Sequence, residues 1–144
     1  MAGYNVEQAL GPHEVVVQSC ALIDKDGDGA NIVLSVTVQF KNGERGVKDL
    51  YPCKGPKALN ICRKSLKAMG FDIDQQSLDE LAANPELVAG AKVQVTVEEN
   101  EYNQQVTNRI AWINPIPKVP PKSRLSALTA ALRTAKNANA EEEV

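Results

Sequence analysis

"IDKDGDGANIVLSVTVQF", residues 23–40, begins in the manner of a calcium loop and finishes in the manner of a β-strand. Asp24, Asp26 and Asp28 take the first, third and fifth positions of an EF-hand loop, and Gly29 takes the sixth. The closing position of that loop needs a bidentate Glu, and here it is Ser35. No helix follows it. Ile32, Leu34, Val36, Val38 and Phe40 instead alternate with Val33, Ser35, Thr37 and Gln39, the period of a half-buried strand. The run before the loop, "EVVVQSCALI" (Glu14 to Ile23), is again apolar and β-branched. An Asp- and Gly-rich tip between two such runs predicts a β-hairpin and no metal site.

Outward from the hairpin, the chain continues as a sheet. "KNGE" (Lys41 to Glu44) contains Asn42-Gly43, the signal of a type I′ turn, and a third strand is expected over Arg45 to Tyr51. "PKALNICRKSLKAMG" then predicts a helix opened by Pro56 and ended by Gly70, with Leu59, Cys62, Leu66 and Met69 on one face. A second short helix is expected between a Ser77/Glu80 capping box and Asn84-Pro85. Val93, Val95 and Val97 mark a fourth strand, "EYNQQ" (Glu101 to Gln105) a turn, and Val106 to Ile116 a fifth strand. The order β-β-β-α-β-β, with a helical insert between strands three and four, is that of the OB-fold. The expected class is therefore mainly β, a five-stranded, partly open barrel of a kind that binds oligonucleotides and oligosaccharides.

That domain is expected to cover residues 1–116. From 117 to 144 the chain reads as a Pro-rich linker ("PIPKVPPK" spans Pro115 to Lys122), a short amphipathic stretch bearing Leu125, Leu128 and Leu132, and a flexible acidic tail. At 144 residues, 43% apolar and 24% charged, the composition is that of one ordinary soluble domain. No membrane span or signal peptide is expected. The three cysteines, Cys20, Cys53 and Cys62, have no metal-ligand spacing, and their odd number points to reduced intracellular thiols. His13, the one histidine, stands near no other candidate ligand.

The net charge of −2 conceals a segregated pattern. Residues 1–28 carry five acids and one base, whereas Lys41 to Lys67 hold eight bases against Glu44 and Asp49. Asp72 to Glu101 hold eight acids against Lys92, and Arg109 to Lys136 hold six bases and no acid. Such blocks build patches, and a basic patch attracts a polyanion even on a mildly acidic protein. The sequence has no Gly-rich phosphate loop, no HExxH and no nucleophile motif, which points to a protein that is not an enzyme and needs no cofactor.

Binding a single nucleic-acid strand takes cations along the backbone path and π-faces for the bases. Tyr51 ends strand three and is followed by Lys54 and Lys57; Arg109 and Trp112 lie on strand five, and Tyr102 at the tip before it. With Arg45 and Lys48 on strand three, these eight are the candidate nucleic-acid-binding residues, with Arg63, Lys64 and Lys67 as further phosphate contacts or a solvated helix face. Trp112 shares its strand parity with Val106 and Ile110, so it reads equally as core or as stacking platform. The loops around Asp24 to Asp28 and Glu98 to Glu101 are acidic and should repel phosphate.

"GAKVQVTVEENEYNQQVTNRIAWINPI", with "KALNICRKSLKAMGF" upstream, resembles small phage-encoded single-stranded DNA-binding proteins with an OB-fold, over about residues 13–116. The resemblance implies sequence-tolerant binding of single-stranded DNA in replication or recombination, in the cytoplasm of a bacterial host. It also implies that an acidic C-terminal tail recruits replication or recombination proteins. The ending "AEEEV" lacks the apolar Pro-Phe pair of better-known bacterial tails. The competing expectation is a protein-interaction module that docks a partner through the acidic segment Asp72 to Glu86 or the stretch Leu125 to Leu132.

Overall fold

The computed structural model describes the backbone of residues 4–117 and 120–142, and the side chains among them up to residue 135 apart from that of Tyr102. The hairpin read from residues 23–40 is formed by β2 (Gly11–Asp24) and β3 (Ile32–Gln39), paired from Val16↔Gln39 to Asp24↔Ile32. Its tip is closed by its own acids. Asp24 accepts the backbone N–H of Gly27 (3.1 Å) and of Gly29 (2.8 Å), and Asp28 accepts that of Ala30 (2.9 Å). Among the described residues no group of three or more His, Cys, Asp or Glu side chains is placed to hold a metal ion.

Six strands form one antiparallel sheet, where five were expected. β1 (Asn5–Val6), β4 (Arg45–Leu50), β5 (Lys92–Tyr102) and β6 (Gln105–Asn114) join the hairpin in the order β1-β6-β5-β2-β3-β4. The extra strand is β1, which pairs Asn5 with Arg109 and Val6 with Asn108. Two residues are too few to show a period of two, so nothing in the sequence marked it. The long strand β2 serves two neighbours, pairing with β5 over Gly11 to Val16 and with β3 from Val16 onward. A register shift between Val17 and Ser19 falls at this handover, and such a bulge bends the strand and increases its twist.

The sheet curls into a half-barrel, consistent with an OB-like arrangement. Its free edge, β4, comes round to face β6 and β1 without pairing with either. The two sides come close at Gly46. A Cβ there would stand 2.9 Å from Ile110 Cδ1, 3.0 Å from Val6 Cγ1 and 3.2 Å from Phe40 Cε2, so only glycine fits undisturbed. The N-terminal segment spans the same gap. Tyr4 donates to Asp49 Oδ2 at 2.9 Å, the Glu7 N–H to Glu44 Oε2 at 2.8 Å, and Gln8 Nε2 to Glu44 Oε1 at 2.7 Å.

Helices plug one end of the barrel. In α1 (Pro56–Ala68) the buried face is Cys62, Ser65 and Leu66, and Met69 follows at its C-cap. Leu59, expected on that face, is exposed instead. Gly70, at φ +81°, ends the helix in a Schellman motif: Gly70 N–H bonds Lys67 O, and Phe71 N–H bonds Leu66 O. α2 (Leu78–Ala83) opens on the expected capping box, with Ser77 Oγ accepting from Asp79 N–H and Glu80 accepting from Ser77 N–H. Leu66, Met69, Phe71, Leu81 and Val88 join Val15, Val17, Leu34, Val36, Val93 and Val95 in one core. Cys20 and Cys62 lie within it, and burial pushes their thiols up to about 12 and about 11 respectively. Cys53 is exposed.

Beyond the prolines, α3 runs from Lys122 to Glu142, far longer than the short stretch expected. Its alanines, the strongest helix formers, carry the helix through the polar residues that read as tail. Residues 143–144, the end of the expected acidic tail, and residues 118–119 in the linker lie outside the described residues. No side chain from Lys122 to Ala135 is buried. Among the described residues no helix is long and apolar enough to cross a membrane.

Candidate nucleic-acid interface

Alternation along β4 decides what faces the open seam. Leu50 pairs with Leu34 and Gly46 with Val38, all buried, so Lys48, opposite Val36, shares the inward-facing side. The Lys48 side chain is half-buried there. Desolvation lowers its pKa and the nearby Arg109 adds to the effect, while Asp49 and Glu98 oppose it. The other side of β4 carries Val47 and Asp49, opposite Thr37 and Ser35, and Tyr51 follows the end of the strand.

A groove of about 390 Å³ follows the seam between β4 and β6. Lys48, Asp49 and Tyr51 line it from one edge, Arg109 and Ile110 from the other, and Tyr4 and Lys25 from the flanking segments. The Tyr51 ring is attended by two cations, with Lys54 Nζ at 4.6 Å and Lys25 Nζ at 5.7 Å from its centroid. Tyr4 is pinned across the seam by its hydrogen bond to Asp49. That bond, followed by desolvation, raises its hydroxyl pKa. A smaller hollow of about 200 Å³ shares Lys48 with the groove and is lined by Ile61 and Lys64 of α1 and by Trp112.

Trp112 is exposed and not part of the core. The register of β5 and β6 shifts between Thr96 and Val97, which pair with Trp112 and Ile110 and leave Ala111 as the extra residue. The bulge reverses the side-chain parity of the rest of β6: Ile110 and Ile113 are both buried, and Trp112 emerges 45% exposed.

Of the eight candidates, Lys48, Tyr51 and Arg109 line the groove, Trp112 lines the adjoining hollow and Lys54 lies over the Tyr51 ring. Arg45 sits exposed at the opposite end of β4, six residues or roughly 20 Å from Tyr51. Lys57 is exposed on the first turn of α1 and lines neither hollow. The side chain of Tyr102 lies outside the described residues. Of the helix cations, Lys64 reaches the site, whereas Arg63 is engaged by both carboxylate oxygens of Asp74, at 2.8 and 3.1 Å. Reasoning from sequence missed Tyr4 and Lys25. Lys25 was hidden among acids, but Asp24 and Asp28 turn to their own loop's amides while Lys25 faces the groove.

No protein-family model matches the chain, and no curated protein is similar to it in sequence. Among solved structures, yeast RPA bound to ssDNA is similar at 10% sequence identity and a TM-score of 0.36, over 90% of this chain and 88% of that one.

Proposed function

We propose that the protein binds single-stranded DNA along the open seam between β4 and β6. One observation carries the reading: beside the hydrogen-bonded Tyr4, the seam is bordered by the aromatic side chains of Tyr51 and Trp112 and by the cations Lys25, Lys48, Lys64 and Arg109. Stacking on a protein aromatic requires a base with a free π-face, which a duplex hides and a single strand offers. Each stacked base contributes roughly 1–3 kcal/mol, and the cations follow the phosphates. Lys54 and Lys25, now over Tyr51, have long flexible stems that let a base take their place while they turn to the backbone. The proposed role is binding and not catalysis. The resemblance to small phage proteins extends the proposal to DNA replication or recombination in a bacterial cytoplasm.

The test is a titration of a labelled single strand of mixed sequence and of its duplex, at several salt concentrations. The single strand should bind more tightly, with a log–log salt slope of about −0.7 per phosphate neutralised. Tyr51→Ala and Trp112→Ala should each weaken binding by roughly tenfold, in line with the stacking energies of single bases. Equal affinity for duplex and single strand, or indifference to both substitutions, would remove the reading. In that event the exposed Leu125, Leu128 and Leu132 of α3 favour the alternative of a protein-interaction module.

A further inference from the structure

Asp49 is an acid in the middle of a basic groove. It is only 8% exposed, and among the described residues it has no salt-bridge partner. Its Oδ2 accepts from the Tyr4 hydroxyl at 2.9 Å, while its Oδ1 is buried and, among the described residues, accepts from nothing. Neither oxygen is open to a ligand in the groove, so the one partner the carboxylate serves there is the tyrosine. For a surface meant only to attract phosphate, an acid at this place is a disadvantage. Burying it with one acceptor unmet adds a cost that native proteins rarely carry without a use.

Tyr4 supplies that use. It stands ahead of β1, a strand of two residues, and belongs to no strand itself. It is 50% exposed and lines the same groove as Tyr51. Among the described residues the cations that lie over an aromatic ring, Lys25 and Lys54, both attend Tyr51 and leave the Tyr4 ring uncovered. Its far end is tied down by the bond to Asp49, and a hydrogen bond to a carboxylate is about twice as strong as one between neutral groups. Resting on the single-strand reading above, we infer that Tyr4 is a further stacking surface for a base and that Asp49 positions its ring. A ring fixed before binding need not be ordered by the incoming strand, so the affinity keeps what that ordering would have cost. Asp49 acts through Tyr4 and touches no nucleotide. Its repulsion of phosphate is offset by Lys48 and Arg109, which line the groove beside it.

The experiment measures the affinity of a labelled mixed-sequence strand of about fifteen nucleotides, within the range of sites for small barrels. The proteins compared are the wild type, Tyr4→Ala, Asp49→Ala and the double variant. Tyr4→Ala should bind roughly tenfold more weakly, the effect of losing one stacked base. Asp49→Ala should bind a few-fold more weakly, although it removes a negative charge from the groove. In the Tyr4→Ala background the same substitution should reverse its sign and strengthen binding, because no ring remains to be held and only the repulsion is lost. Tyr4→Phe, which keeps the ring and gives up the bond, should fall between the wild type and Tyr4→Ala. An acid that only repels phosphate would strengthen binding in both backgrounds when removed, and an acid needed only for folding would weaken it in both. Either result would overturn the positioning role of Asp49. Tyr4→Ala binding as tightly as the wild type would overturn the whole inference and leave the single-strand reading intact. A labelled strand that the wild type does not bind at all would end both.

Discussion

Lys48 carries a charge where the register places an apolar side chain, between the inward-facing Gly46 and Leu50. Its proton is held less firmly in the fold than in the open chain, because desolvation lowers its pKa from the ordinary 10.5. Between the lowered value and 10.5 the unfolded chain binds more protons, so this residue makes stability rise with pH in that window. Below the window the whole penalty of burying the charge is present. Lys48→Met keeps the stem and removes the charge. The variant should melt at a higher temperature than the wild type near neutral pH, and the difference should narrow as pH climbs through the window. Single-stranded DNA should bind it more weakly, with the salt slope smaller in magnitude by about 0.7. Thermal melts across pH, paired with salt titrations, check both halves; a less stable variant at neutral pH would contradict the argument. The residue type and strand of Lys48 were legible in the sequence, but its facing was not. Facing depends on the open seam, which lets an inward position reach water. The same holds for Trp112, whose parity is reversed by one extra residue at Ala111 that no alternation in the sequence announces.

Turns show most plainly what local sequence does and does not specify. Asn42-Gly43 was expected to form a type I′ turn, but only Gly43 has a positive φ, at +92°. Gly43 N–H bonds Phe40 O at 2.9 Å and Phe40 N–H bonds Glu44 O at 2.8 Å, the pattern of a three-residue loop whose glycine forms a bulge. The true pair of positive angles stands at the other hairpin, between β5 and β6, where Asn103 has φ +51° and Gln104 φ +65°. Neither is glycine, and glutamine has no special tolerance for that region. Strand register dictates the turn there, against local preference. Replacing Gln104 by Gly should remove left-handed strain of about 1 kcal/mol and raise the melting temperature. Calorimetry of the two proteins decides it, and an unchanged or lower melting point would mean the turn is not strained. Where local chemistry and tertiary demand agree, the reading from sequence held. Gly70 ends α1, Ser77 and Glu80 cap α2, and the Asp24 loop joins two strands. Leu59 misled because its helical spacing fits the buried face of α1, while Ser65 took a place in the core that polarity would deny it.

The order of strands and the helical insert followed from alternation and from turn residues, since each is a property of a few neighbours. How far the sheet curls, and whether its edges meet, depends on contacts between residues far apart in the chain. Tyr4 and Asp49, or Gly46 and Ile110, leave no joint mark on the sequence. The resulting half-barrel keeps β4 as an edge strand, paired on one side only. Unpaired strand edges invite other chains to add themselves, and charged side chains turned toward the edge are a common defence. Lys48 stands on that edge and Arg109 faces it across the groove, so the cations proposed to draw in DNA also discourage self-adhesion. An incoming strand from a second copy would have to bury them. Lys48→Met combined with Arg109→Leu should therefore turn the seam into an adhesive border, and light scattering should show particle size growing with concentration where the wild type stays constant. In this protein the attraction for a polyanion and the resistance to clumping are two results of the same pair of charges.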